Sequence, residues 1–420
     1  MIIEENRQHK EEVYAMWQRN FHDPAPYAAF YFSEVYGKNE VLLQVSENNV
    51  LQAADMQENR AENTEETECI KGMLHLNPYQ LLIKGKTVDA HYIVGVATDE
   101  RFRRQGVMRE LLIDTFSRLR KRGEMFTYLM PADENYYLPF DFRFGMCQLE
   151  QEMECFRQAP KPEKKQFAFV PGLPENLEEA CRLENEKKAG LFAICTKMTS
   201  EYFRRLEKEV RSDFGRMITV YKDGIYAGRF VMGAEDGYMV LSQIVCVDET
   251  MYQCFLHEAL HFSEEEYHYG KYQLIVDETW KKTLLPPGNV CGVRLLPVKE
   301  KKIIMFRILD LEKLGAYLCG TAAQTCCIRV IDNYLQEQDG CYQWSVDNGK
   351  VKVEKISHTE GSTTPDVPDG GSITIAALTE LIFGKKETRT EQLFEGLTQK
   401  GKNMLEGVQP LSFQCIQEIV

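Results

Sequence analysis

No stretch of the chain approaches the ~20 consecutive apolar residues that a membrane-spanning helix requires, which argues against a helical membrane protein. The opening Met-Ile-Ile-Glu-Glu-Asn-Arg-Gln-His-Lys also lacks the apolar core of a secretion signal. A cytoplasmic location is the expectation. Paired cysteine motifs are missing as well: the 13 cysteines are an odd number, contain no Cys-x-x-Cys, and only Cys326 and Cys327 are close. They read as reduced, mostly buried thiols of a reducing compartment rather than a disulfide framework. Positive charge is in deficit, with 50 Lys and Arg against 64 Asp and Glu, a net charge of -14. Nucleic acids and anionic membranes need a positive field to release counterions, so neither is an expected partner. A cationic substrate suits the charge better, although solubility alone would also account for it.

What is present is a large soluble composition, 44% hydrophobic and 27% charged over 420 residues. That length exceeds the ~100–200 residues one domain ordinarily holds, and the pattern divides into three domains, over 1–157, 158–290 and 291–420. In the first, Val13, Met16, Trp17 and Phe21 predict an opening helix over 11–21. A strand over 41–45, an acidic surface loop over 53–67, and strands around Leu74 and over 91–98 follow. Gly106 then opens a helix with Val107, Met108, Leu111, Leu112, Phe116 and Leu119 on one stripe, and Gly123 closes it behind Arg118, Arg120, Lys121 and Arg122. A strand over 126–130 completes a βαβ unit, which implies an α/β core.

A polar stretch with two prolines over 158–165 reads as a linker. Beyond it the rhythm repeats, with strands over 217–221, 225–232 and 238–247, a turn at Asp236-Gly237 and a helix over 249–262. This second copy has no Arg-x-x-Gly element between its strand and its helix, so it predicts a duplication with one inactive half. The third domain is α+β: strands over 303–309 and 328–331, a hairpin over 342–346 and 351–356 around Asp347-Asn348-Gly349, a loop over 360–371, and helices over 375–383 and 391–404.

The segment 93–108, Ile-Val-Gly-Val-Ala-Thr-Asp-Glu-Arg-Phe-Arg-Arg-Gln-Gly-Val-Met, carries the chemistry. Arg103-Arg104-Gln105-Gly106 alone would be an ordinary loop. Between a strand and a helix it becomes an anion site, because helix-start amides and two guanidinium groups converge there and Gly106 admits close backbone approach. About 30 residues on, after the strand over 126–130, Pro131 to Gly145 holds Tyr136 and Tyr137, either of which would lie beyond the carboxyl edge of the sheet.

Val96-Ala-Thr-Asp-Glu-Arg-Phe-Arg-Arg-Gln-Gly-Val-Met-Arg109 and Tyr137-Leu-Pro-Phe-Asp-Phe142 resemble the GCN5-related N-acetyltransferases (GNAT), and within them the enhanced intracellular survival (Eis) family. The resemblance spans nearly the whole chain. It implies tandem GNAT-like domains, the first active and the second degenerate, followed by a sterol-carrier-like α+β domain, and an enzyme that moves an acetyl group from acetyl-coenzyme A to a primary amine. By resemblance Val96, Ala97 and Thr98 bond the pantetheine arm, Arg104, Gln105, Gly106, Val107, Met108 and Arg109 wrap the pyrophosphate, and Ala132 and Asp133 also touch the cofactor; Arg103, the other guanidinium of the anion site, is a further cofactor-binding candidate. Tyr137 matches the family's general acid. The final carboxylate, here that of Val420, matches its base, with Glu418 as the alternative. Acceptors implied are aminoglycosides, polyamine-like compounds or lysine side chains, and the assembly implied is a hexamer. Met108 departs from the small residue most acetyltransferases carry there, and the last residues lack the expected aromatic end.

Two other patterns stand in the sequence. His257-Glu-Ala-Leu-His261 fits a zinc-protease pattern with Glu278 as a third ligand, but the helical wheel turns both histidines to solvent, and no metal is expected. A lipid- or small-ligand-binding protein built around the third domain is the other alternative.

Overall fold

The computed structural model describes residues 1–5, 7–46, 69–154, 161–162, 164–282, 284, 288–290, 293–356 and 368–418. The acidic stretch over 53–67, part of the linker and most of the loop over 360–371 lie outside the described residues.

The expected opening helix forms at Lys10–Asn20 and buries Val13, Met16 and Trp17, the predicted face. Its indole stacks on Tyr31 at 4.5 Å, fixing the helix over the sheet. The helix Val107–Arg122 buries Val107, Leu111, Leu112, Phe116 and Leu119, residues one helical turn apart. Each such side chain contributes ~1.5–3 kcal/mol on burial. Gly123 closes it as expected, its amide bonding the Arg120 carbonyl at 2.8 Å behind a basic last turn.

The main sheet runs in the order Ile2–Glu4, Glu40–Ser46, Cys69–Ile83, Lys86–Thr98, Phe126–Leu129, Lys299–Ile308, Arg143–Glu154, Lys271–Val276, Tyr238–Cys246, Ile225–Glu235, Arg216–Lys222, Ala168–Pro171. Two similar units are joined in it. Along this order each is antiparallel except for one parallel pair, Lys86–Thr98 with Phe126–Leu129 in the first and Tyr238–Cys246 with Lys271–Val276 in the second. Arg143–Glu154 borders both units.

The strand read over 303–309 belongs to this sheet. Lys299–Ile308 lies antiparallel between Phe126–Leu129 and Arg143–Glu154. Its unbroken apolar run, Ile303 to Phe306, is buried because both faces are covered. Arg307, fully buried, grips Asp332 of the third unit through two bonds of 2.8 and 3.1 Å and lies 4.3 Å from the Phe116 ring.

In the third unit Gln399–Gly407 packs on a second, six-stranded sheet, whereas Ile375–Phe383 packs against Arg143–Glu154 and Lys299–Ile308 of the main sheet, Phe383 stacking on Phe306 at 4.5 Å. The third unit's hairpin forms around Asn348 and Gly349 as read. The helix expected over 391–404 is broken: Glu391–Phe394 is a 3-10 turn, and a new helix starts after Thr398, whose hydroxyl caps the Gly401 amide at 3.3 Å. Two helices of the second unit, Leu177–Leu191 and Ser200–Ser212, had no counterpart in the sequence reading. Among the described residues no helix is long and apolar enough to cross a membrane.

Candidate active site

A single extra residue opens the site. Met73 faces Ala97 and His75 faces Val94, so Leu74 stands opposite both Gly95 and Val96. Such a bulge bends its strand. Gly95 has φ +59, and a Cβ there would lie 2.5 Å from the Trp17 ring, so both conformation and space require glycine. Lys86–Thr98 consequently registers with Phe126–Leu129 at one pair, Tyr92 with Tyr128. Beyond it the strands part around a cavity of about 860 Å³.

One wall of that cavity is the bulged strand, including Val96, Ala97 and Thr98, and the facing wall is Met130, Pro131, Ala132, Tyr136 and Tyr137. Arg103, Arg104, Gly106, Val107, Met108 and Arg109 line its mouth. Of the residues picked from the sequence, the described structure therefore brings these eleven together, Tyr137 and Ala132 included. Gln105 and Asp133 do not line the cavity. The Gln105 amide turns back to the Arg101 carbonyl at 3.0 Å, closing the loop, and Asp133 Oδ1 accepts from the Asn135 amide at 2.9 Å, starting the turn that leads to Tyr137. Val420 lies outside the described residues.

The mouth has the backbone of an anion cradle. Arg104 and Gly106, at alternate positions, have φ +62 and +85, which concentrates amide hydrogens on one side of the turn. The first intrahelical bond is Glu110 N to Gly106 O, 3.0 Å, so the amides of Val107, Met108 and Arg109 have no helical acceptor. A Cβ on Gly106 would meet no atom within 4 Å. Conformation, and not crowding by the protein, demands glycine here, and the open space lies where a ligand approaches. Arg103 bonds Asn20 at 3.3 Å and Arg109 lies 6.0 Å from the Tyr334 ring, while Arg104 forms no ion pair among the described residues.

Tyr137 is 9% exposed, its ring edge-on to Phe142 at 5.8 Å, and burial pushes its hydroxyl up to about 12. It is fully protonated at neutral pH. Tyr136, the competitor, stands on the rim at 60% exposure.

Where the strands begin to part, a second group of residues gathers that the sequence did not mark: Tyr79, Tyr92, Tyr128 and Tyr202, all buried. Arg205 lies 4.6 and 4.8 Å from the Tyr79 and Tyr202 rings and 3.8 Å from Glu209. Glu418 joins them from the far end of the chain. Its segment, Gln414–Cys415, adds in parallel to Ile194–Thr196, which in turn pairs with Cys69–Ile83. Thr196 donates to Glu418 at 2.8 Å. Burial raises the Glu418 carboxyl above the ordinary range, opposed by that bond and by Arg205. Tyr92, which lines the cavity, is raised by burial, and the charges of Tyr79, Glu418 and Tyr137 reach it. No periodicity or motif announces this cluster, because its members come from five separate elements.

The zinc reading fails on geometry. Glu258 is buried and accepts from the amides of Gln166 and Phe167, so it caps a strand approach. His257 is exposed, but His261 is buried, contrary to the expected solvent face, because Tyr252–Tyr267 is covered on nearly all sides. Glu278 pairs with Lys385. Among the described residues no cluster could hold a metal.

A split sheet with an anion cradle and a protonated tyrosine at the split is the architecture of an acyl-transfer enzyme. Residues 2–145 match the family model described as an acetyltransferase (GNAT) domain. That part of the chain is a GNAT acetyltransferase domain, and the chain as a whole is Eis-like in fold. No curated protein matches the chain. Solved structures similar to it include a conserved protein of Enterococcus faecalis V583 described as a probable N-acyltransferase (12% identity, 100% of this chain and 99% of that one, TM-score 0.73). A GCN5-related N-acetyltransferase from Kribbella flavida (14%, 100% and 98%, 0.72) and Eis1 from Mycobacterium abscessus (14%, 99% and 98%, 0.66) are others. At these identities the likeness is one of fold.

Proposed function

We propose that the protein transfers an acetyl group from acetyl-coenzyme A to a primary amine of a small cationic acceptor. The observation that carries this is the bulge-driven split of Lys86–Thr98 from Phe126–Leu129 with the Arg103–Arg109 cradle at its mouth. The fit is good: free helix-start amides, a left-handed turn and an unpaired guanidinium suit a diphosphate, and an unzipped strand edge suits an amide-bearing arm. Acetyl-coenzyme A supplies an activated thioester when bound.

In this reading Arg103, Arg104 and the amides of Val107 to Arg109 hold the diphosphate, and the freed edge over Val96 to Thr98 orients the arm and stabilises the oxyanion. Tyr137 Oη holds the proton that the sulfur takes as it leaves. On the other side of the split, Glu209, Glu418 and Asp23 draw in a cationic amine, and Glu418 Oε takes its proton. A carboxyl raised by burial is better suited to that task than an ordinary one. The role of the Val420 carboxylate rests on the resemblance alone.

We also propose a chain of two tandem GNAT-like units and a third domain, over 1–157, 158–290 and 291–420, with Lys299–Ile308 lent to the first sheet. A sterol-carrier kinship of the third rests on the resemblance.

Calorimetric titration with coenzyme A tests the donor reading. The intact protein should bind, and Arg104→Ala or Gly106→Trp should abolish binding while the fold, followed by circular dichroism, persists. Absence of binding by the unaltered protein would overturn it.

A further inference from the structure

The second unit keeps the first unit's architecture, including its bulge. Phe230 stands opposite both Gln243, with φ +47, and Ile244, and Tyr238–Cys246 pairs with Lys271–Val276 only over Met239 to Leu241. At the mouth of this split Asp248 starts a 3-10 turn in place of an arginine-glycine cradle. A buried ionic group occupies it. Arg229, 0% exposed, donates to the Gln243 carbonyl at the bulge, 3.5 Å, and to Glu184 at 2.9 Å. Lys188 lies 3.1 Å from the same carboxylate, and Tyr226 donates to it at 2.5 Å.

Two cations share the one carboxylate of Glu184, and their remaining donors need acceptors. The chain's own distal segment satisfies them. Gln417 Oε1 accepts from Lys188 Nζ at 2.9 Å and from Arg229 at 3.1 Å. The Gln417 backbone N–H donates to Thr196 Oγ1 at 3.0 Å, and the same hydroxyl donates to Glu418. Neighbouring side chains of an extended segment point to opposite sides. Gln417 accordingly meets the second unit, and Glu418 meets Thr196 within electrostatic reach of Tyr79, Tyr92, Tyr128, Tyr202, Arg205 and Glu209.

We propose that the second unit is a positioning device for the first: its buried Glu184, Arg229 and Lys188 grip the Gln417 side chain and thereby hold Glu418 among the buried tyrosines behind the active-site cavity, of which Tyr92 lines the cavity itself. Gln417, Lys188, Arg229 and Glu184 are positioning residues. The split that has lost its cradle keeps a use, because the bulge carbonyl of Gln243 and the buried cations now orient a carboxyl that acts elsewhere. This rests on the reading of Glu418 as the carboxyl that receives the proton.

Infrared difference titration of the full chain follows the carboxyl directly, with the band lost in Glu418→Gln giving the assignment. In the unaltered protein the band should titrate above ordinary glutamate, ~4.3. Gln417→Leu should release it, lowering the midpoint by about one pH unit toward that value. Gln417→Glu, which keeps the accepting oxygen, should hold it raised. A Gln417→Leu midpoint equal to the unaltered one overturns the proposal. If Gln417→Leu does not fold, Lys188→Met decides, since it removes one donor and leaves a neutral Glu184–Arg229 pair: a lowered midpoint supports the clamp and an unchanged one refutes it. A midpoint that is not raised in the unaltered protein refutes both the clamp and the Glu418 assignment. Coenzyme A binding on the same samples keeps the donor reading separate, because binding with an unshifted band sinks the clamp alone.

Discussion

At Tyr137 burial does two things at once: it fixes the ring against Phe142, and it keeps the hydroxyl protonated well above neutral pH. Replacing it by Phe preserves the packing and removes the proton. Turnover should fall ~10²–10⁴-fold, the usual worth of a general acid, with coenzyme A affinity unchanged by calorimetry; an unaltered turnover number would remove Tyr137 from the role. Gly95 is a different case, since its side-chain vector points at Trp17. Gly95→Ala should cost about 1–3 kcal/mol and lower the urea midpoint, and an unchanged midpoint would show that the bulge relaxes freely. Arg104 and Gly106 were legible in the sequence because a turn between strand and helix is a local feature. Gln105 and Asp133 carry the same local signal, yet their side chains fold back onto Arg101 and Asn135, which only the turn's geometry reveals. His261 is buried where a helical wheel turns it to solvent, because a wheel assumes one covered face and Tyr252–Tyr267 has more.

Among the elements, those with local punctuation were readable: Val107–Arg122 between two glycines, and the hairpin at Asn348-Gly349. The bulge was not, because an inserted residue leaves the apolar run over 93–97 intact on paper and shows itself only in the partner's register. The partners of Lys299–Ile308 were equally hidden, since an apolar run declares a buried strand but not which sheet it enters. That placement yields a test. A fragment ending at residue 157 would leave open the edges of Phe126–Leu129 and Arg143–Glu154, and exposed edges aggregate. It should show no cooperative urea transition and should elute as aggregate in gel filtration. A monomeric fragment with a sharp transition would contradict the shared sheet.

For the whole molecule, the buried acids tie stability to pH. Burial pushes Asp277 up to about 6, opposed by its bonds from Thr279 and by Lys188. The unfolded chain, with an ordinary ~3.9, gives up that proton first. Stability from this group is therefore complete below pH ~4, declines as pH rises toward about 6, and is level above, a change of at most about 3 kcal/mol at ~1.4 kcal/mol per pH unit. Glu418, also raised, works in the same direction. Asp277→Asn keeps an oxygen for Thr279 and should make the urea midpoint less sensitive between pH 4 and 6 than in the unaltered protein; an identical pH slope would refute the assignment. None of this was visible in the net charge of -14, which counts acids without locating them.

The shared sheet also sets a clock on biosynthesis. About 145 residues separate Glu154 from Lys299, the strand that must slide between two already made. At ~5–20 residues per second, a ribosome needs roughly 7–30 s to deliver it. For that interval the nascent first unit carries two raw strand edges beside its anion cradle, so a cell making this enzyme should load it with holding chaperones from about residue 154 until residue 308 has cleared the exit tunnel.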